Sequence, residues 1–160
     1  MFEHIIIDLD GTIYRGSEPI PGAQTAIETL RKQNISVTFL TNNATKRREK
    51  YSAKLETMGI PTTPEEVLTA GVITATYLGT NYPDCTLFVV GEEPFRTTLR
   101  NAGLTLTTSP ERADGIVVAL DREFNYETLS NALRVFEAGD PLYVATNPDQ
   151  TRPGEHHSLP

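Results

Sequence analysis

The chain has 160 residues and a formal net charge of −7, from 14 Lys and Arg against 21 Asp and Glu. That length suits one domain or two small ones, and an acidic chain with no basic run longer than Lys46-Arg47-Arg48 excludes a nucleic-acid backbone as partner. No stretch approaches the roughly 20 apolar residues that span a bilayer, the amino-terminal segment lacks the basic start of a signal peptide, and the single cysteine, Cys85, rules out an intrachain disulfide, so the expectation is a soluble, cytoplasmic protein.

In chain order, Ile5-Ile6-Ile7 reads as a strand over residues 4–8 that is buried on both faces, as in a parallel sheet. Asp8 and Asp10 close it; strand alternation points them the same way, and Gly11 lets the chain turn sharply after them. Residues 13–20 form a turn-rich excursion with Gly16 and Pro19. Pro21-Gly22 opens a helix whose Ala23, Ile27 and Leu30 share a face, and Asn34 ends it. Residues 36–41 read as a second strand, and 45–57 as a second helix with Tyr51, Leu55 and Met58 on one face and Gly59 as its stop. Val67-Leu68 suggests a short strand, and 71–78 a helix. The turn-rich cluster at 79–84 marks a boundary. Beyond it the pattern restarts: a strand at 87–90, a helix through Phe95, Leu99 and Ala102, a strand at 115–120, a helix at 125–138 with Leu129, Ala132, Leu133 and Phe136 on one stripe, and a strand at 142–145. Residues 150–160 have no period and read as loop. Alternating strands and helices predict an α/β protein with right-handed βαβ units and mostly parallel sheets, in two lobes, 1–79 and 80–160.

The chemistry gathers at strand ends. Two carboxylates at the carboxyl end of a parallel strand stand where open α/β sheets bind ligands. Like charges that close call for a proton or a cation between them, and the geometry asks for a divalent metal. The second strand ends in Thr41-Asn42-Asn43. Neighbouring parallel strands end on the same side, so a hydroxyl and two amides near Asp8 can hydrogen-bond an oxyanion. Thr45-Lys46-Arg47-Arg48 then puts cations in a first helical turn, against the macrodipole, at about 0.3–1 kcal/mol each. A bound anion offsets that cost, although a solvated basic face is the plainer account. His156-His157 point apart in an extended chain, and Cys85 has no nearby histidine, so neither predicts metal or thiol chemistry.

Asp8-Leu9-Asp10-Gly11-Thr12 after one apolar strand and Thr41-Asn42-Asn43 after the next resemble the haloacid dehalogenase superfamily of phosphohydrolases. Leu40 to Thr45, Val89-Val90-Gly91-Glu92, Leu120 to Tyr126 and Ala145-Thr146-Asn147-Pro148-Asp149 look like its NagD-type subfamily, which includes sugar-phosphate, nucleotide, phosphoglycolate and 4-nitrophenyl phosphatases. The resemblance implies the first part of a Rossmann-like core over 1–79 and an α/β cap of the C2 type over 80–160. It implies that Asp8 is the nucleophile and Asp10 the general acid, then base. It implies Mg²⁺ at Asp8 and Asp10, through the first carboxylate and the second backbone carbonyl. Thr41 and the Asn42 N–H are the implied phosphoryl contacts, and Gly11 and Thr12 shape the turn. Asn43 and Thr45, with Asn147, Asp149 and Arg152 after the last cap strand, are the implied contacts to the leaving group. The implied partner is a small phosphorylated metabolite, and the helix at 125–138 offers a face through which two copies can pair.

Two elements of the family pattern are missing. One is a downstream Lys that steadies the aspartate and phosphate charges; the other is an acidic Gly-Asp loop that completes the metal site. Lys32, Lys46, Lys50 and Lys54 all precede the cap, and Gly139-Asp140 runs into Pro141-Leu142. An excerpt of a longer protein is the favoured explanation. The expectation for these 160 residues alone is an open apolar sheet edge, weak metal binding and little turnover. The alternatives are a non-catalytic relative that binds phosphate or a partner chain, and a phosphoryl transferase using the same acids.

Overall fold

The computed structural model describes residues 2–149 in full and the backbone of 152–153 and 158–159. Its elements are β1 (His4–Asp8), β2 (Tyr14–Arg15), β3 (Glu18–Pro19), α1 (Ala23–Lys32), β4 (Ser36–Thr41), α2 (Arg48–Thr57), β5 (Val67–Thr69), α3 (Ala70–Asn81), β6 (Thr86–Val90), α4 (Glu93–Asn101), β7 (Thr105–Thr107), β8 (Gly115–Val118), α5 (Tyr126–Glu137), β9 (Leu142–Ala145), β10 (Arg152–Pro153) and β11 (Ser158–Leu159). They form two compact units: Met1–Thr41 with Arg48–Thr69 and Asp149–Pro160, and Asn42–Arg47 with Ala70–Pro148. No helix among the described residues is long and apolar enough to cross a membrane.

In the first unit, apolar runs build a parallel sheet in the order β1-β4-β5. Its register pairs Ile7 with Phe39, Asp8 with Leu40, and Thr41 with Thr69. Val37 and Phe39, alternate residues on one face of β4, pack with Ile27 of α1, Tyr51 and Leu55 of α2, and Leu9, Ile13 and Tyr14 in a single core. Helix α1 stops where Asn34 takes φ 59, a left-handed conformation that Asn tolerates better than most residues.

Strand β1 is not covered on both faces, as its three isoleucines predict. Ile6 is 61% exposed, while Ile5 and Ile7 are half-buried. The reason is topological: β1 pairs with β4 alone among the described residues, so it is an edge strand. An open apolar edge at β1, as expected from the sequence, is present among the described residues.

The second unit is a parallel sheet in the order β7-β6-β8-β9. Alternation along β6 sends Leu87 and Val89 to one face, against Leu78 of α3 and Phe95 and Leu99 of α4. Phe88 and Val90 face the other way, against Ala132 and Val135 of α5. The expected stripe on α5 is therefore divided. Small Ala132 lies against the sheet, whereas Leu129, Leu133 and Phe136 face outward, with the Phe136 ring 5.8 Å from that of Tyr143. Helix α3 also departs from expectation. It continues through Gly79 and Thr80 to Asn81, whose side chain donates to the Tyr77 carbonyl at 2.8 Å. Its Ala75 and Leu78 belong to the core around Leu87. Helix α3 thus falls in the second unit, which begins its longer segment at Ala70.

Candidate active site

The turn after β1 is organised by Leu9, which is fully buried. Its N–H donates to the Leu40 carbonyl at 3.0 Å, and its own carbonyl accepts from the N–H groups of Thr12 (3.3 Å), Ile13 (3.0 Å) and Tyr14 (3.3 Å). Gly11, at φ 90, takes the corner that an L side chain resists, and its N–H donates to the Tyr14 carbonyl at 2.8 Å. Asp10 forms a bridge with Tyr14. Asp8 and Asp10, on either side of Leu9, are both exposed.

The two acids act on each other. Burial raises the Asp8 carboxyl above its ordinary range, a hydrogen bond with the Leu9 backbone works against that, and the Asp10 charge raises it further. Two tyrosines stand beside them. Tyr14 is 1% exposed, and its phenol is pushed well above the usual tyrosine range, by burial first and then by Asp10, Tyr51 and Asp8. The buried Tyr51 phenol is raised too, by burial and by Asp10, while a hydrogen bond with Thr41 opposes the rise. Thr41, also buried, lies one residue past Leu40, the register partner of Asp8. Lys54 Nζ sits 3.2 Å from the centre of the Tyr14 ring and donates to the Gly16 carbonyl at 2.7 Å.

Neither tyrosine is recognised as part of the site from sequence. Tyr51 reads as one more apolar residue on a helix face, and Tyr14 lies in the unpatterned stretch after the acidic turn. The one available signal was a phenol only four positions past Asp10, in a hairpin too short to carry it elsewhere.

Asn43 Oδ1 accepts from both the N–H and the hydroxyl of Thr45, at 2.8 Å each, which turns the chain and leaves Thr45 buried. Asn42 is exposed and Asn43 half-buried. Helix α2 begins at Arg48, not at residue 45, so exposed Lys46 and Arg47 lie outside its first turn. The conflict with the macrodipole passes to Arg48 and Lys50, with Glu49 between them in the same turn. Asn147 is half-buried after β9, and Asp149 is exposed. The backbone of Arg152 pairs with Leu159, while its side chain and His156-His157 lie outside the described residues. Burial and the charges of Asp114 and Asp84 push the Cys85 thiol up, which keeps it protonated.

The second unit has its own crevice, at the carboxyl ends of β6 and β8 where the strand order reverses. Glu92, Glu93, Pro94, Arg122 and Glu123 line a cavity of about 300 Å³. Arg122 grips Glu92 there with two hydrogen bonds, Nε to Oε1 and Nη2 to Oε2, each 2.6 Å.

Among the described residues no three His, Cys, Asp or Glu side chains gather into a ligand group. The carboxylates of Asp8 and Asp10 and nearby backbone carbonyls are hard oxygen donors. Such a set fits Mg²⁺, which takes one or two carboxylates and keeps several waters.

Residues 5–105 match the family described as haloacid dehalogenase-like hydrolase, and the chain belongs to that family. The acid sugar phosphatase of Staphylococcus epidermidis is 36% identical over 159 residues, a match that spans 99% of this chain and 61% of that protein. The solved structure of a 4-nitrophenylphosphatase from Thermotoga maritima superposes with a TM-score of 0.91 at 30% identity, covering 99% of this chain and 60% of its own. A structure assigned as a nagD protein gives a TM-score of 0.92 at 30% identity, covering 99% and 62%. The chain thus spans about three fifths of the length of the curated relatives it matches.

Proposed function

We propose that the chain carries the nucleophile-bearing part of a Mg²⁺-dependent phosphomonoester hydrolase that works through an aspartyl phosphate. The observation behind this reading is the Asp8–Asp10 pair, held on either side of the anchored Leu9 at the carboxyl end of a parallel strand. Family membership supports it. The Asp8 carboxylate and the Asp10 backbone carbonyl would hold the metal. When bound, Mg²⁺ supplies positive charge that offsets the repulsion between Asp8 and a phosphate dianion.

An Asp8 oxygen attacks phosphorus as the bond to the leaving oxygen breaks, and Asp10 gives that oxygen its proton. Water then adds its oxygen to phosphorus and its proton to Asp10, which frees phosphate and restores Asp8. Thr41 donates to the phosphoryl oxygens, and Gly11 and Thr12 set the turn that carries Asp10. Asn42, Asn43, Thr45, Asn147, Asp149 and Arg152 are assigned to the substrate by the family resemblance alone. The name of the staphylococcal relative makes sugar phosphates the first substrates to try. Residues 1–79 are read as the first part of the hydrolase core and 80–160 as its cap, and the outward apolar stripe of α5 supports pairing of two copies.

The test is release of 4-nitrophenol from 4-nitrophenyl phosphate in Mg²⁺. Turnover that is lost in EDTA and cut about 10³-fold or more by Asp8→Asn is the expected result. Turnover that survives Asp8→Asn overturns the assignment. A folded protein that binds phosphate without hydrolysing the ester replaces it with a binding function.

A further inference from the structure

We infer that Thr45 is a positioning residue for Asn43: it holds the Asn43 amide by its oxygen, so that Asn43 meets the leaving group as a hydrogen-bond donor, through Nδ2. Esters whose leaving group carries an oxygen acceptor, such as a sugar hydroxyl, are the ones this arrangement favours. The inference rests on the phosphatase reading above, which assigns Asn43 to the substrate, and deepens it.

The chain around these two residues is well anchored. Asn42–Arg47 belongs to the second unit, and Ala44 is buried in the core of that unit with Ala75 and Leu78. Thr45 is 6% exposed, whereas Asn43 is half-buried and keeps some contact with solvent. The N–H and the hydroxyl of Thr45 both donate to Asn43 Oδ1, each at 2.8 Å.

A backbone N–H can only donate, so the amide atom it meets is the oxygen and not the NH2 group. The backbone of Thr45 thus sets which way round the Asn43 amide lies, and its hydroxyl holds the amide there with a second bond. Both acceptor positions of Oδ1 are then in use, so any further partner meets Asn43 through the two donors on Nδ2. The one proton of the Thr45 hydroxyl is committed to Asn43, and the residue has little surface. Thr45 therefore supports the contact to the leaving group instead of making one.

An amide that can turn over offers a ligand oxygen or NH2 alike; one held by its oxygen offers donors alone. A site built to hydrogen-bond a hydroxyl discriminates against the analogue that lacks it, because its own polar group is then left unmatched.

Thr45→Val keeps the branched shape and the backbone N–H and removes the hydroxyl. Glucose 6-phosphate carries hydroxyls on its leaving group, and phenyl phosphate carries none. For both esters, KM and kcat are measured in Mg²⁺, and Kd by calorimetry in EDTA. Thr45→Val is expected to raise KM and Kd for glucose 6-phosphate about 3- to 10-fold, as for the loss of one neutral hydrogen bond. Its kcat, and every constant for phenyl phosphate, should stay within about twofold of the wild type. Thr45→Ser, which keeps the hydroxyl, should restore the wild-type values. Adding Thr45→Val to Asn43→Ala should change nothing further, since the threonine acts through the amide. Equal losses on both esters, losses that add in the double variant, or no loss at all overturn the inference while wild-type turnover keeps the phosphatase reading intact. A wild type that takes phenyl phosphate and refuses glucose 6-phosphate also overturns the inference alone. A wild type that binds glucose 6-phosphate without hydrolysing it overturns the phosphatase reading, and the Kd pattern then decides the inference. A wild type that neither binds nor hydrolyses either ester overturns both.

Discussion

Replacing Asp8 by Asn is expected to stabilise the fold while it removes the proposed nucleophile. The folded Asp8 carboxyl titrates above its ordinary 3.8, because burial and the Asp10 charge disfavour the ionised form and the Leu9 hydrogen bond offsets them only in part. The folded state therefore binds this proton more tightly than the unfolded chain does. The resulting stability is fully present below the unfolded value and is lost as pH rises through the folded one, so at neutral pH the ionised group is a net burden. Asn keeps the size and a side-chain oxygen and carries no charge. Asp8 is exposed, so solvent screens much of the repulsion and the gain is discounted to about 0.5 kcal/mol. For a unit of this size that is a rise of roughly 2–4 °C in melting temperature. Thermal melts followed by circular dichroism at pH 7 and pH 3, in low and high salt, measure it. The advantage should vanish at pH 3, where the carboxyl is protonated in both states, and shrink in high salt as the Asp10 contribution is screened. A variant that melts lower than the wild type at pH 7, or keeps its advantage at pH 3, refutes the reasoning.

Saturating Mg²⁺ is expected to raise the melting temperature of the wild type, by about 2.7 kcal/mol of stability at 100 times its dissociation constant, and to have little effect on Asp8→Asn; EDTA should reverse the shift. Gly91→Ala is expected to cost about 1–3 kcal/mol in urea unfolding. The new Cβ would lie 3.0 Å from Phe95 Cδ1 and 3.3 Å from the Ala119 Cβ, so Phe95→Leu in the same chain should cost less than the sum of the two changes made singly. Ile6→Thr should stay within about 0.5 kcal/mol of the wild type, as for an exposed site, whereas Phe39→Ala should cost about 3–5 kcal/mol. A large penalty at Ile6 would show that β1 is covered on both faces after all.

The local features were legible. Apolar runs announced β1, β4, β6 and β8, and the glycine after Asp10 announced the turn that carries the acids. Features that depend on partners were not. Strand β7, Thr-Leu-Thr, has no apolar run of its own and was missed; it exists because β6 offers it a parallel ladder. Composition alone implies burial of β1 on both faces, but neighbours decide burial, and Ile6 stays 61% exposed. Gly79-Thr80-Asn81 reads as a break yet stays helical, because α3 is held along its length by the core around Leu87. In the candidate site, the acids and Thr41 carry recognisable chemistry in sequence. Tyr14 and Tyr51 read as core residues in sequence, and only the folded chain shows both phenols raised by burial and by the Asp10 charge.

Leu9 has no reactive atom, yet four backbone hydrogen bonds meet at it and its side chain fills the core. The spacing of the neighbouring acids is thereby settled as the chain folds, before anything binds between them. Anyone seeking to retune that gap would do better to redesign the silent leucine and the amides hung on it than to lengthen either acid. By the same logic, drift at position 9 would be policed by chemistry in which the residue itself takes no part.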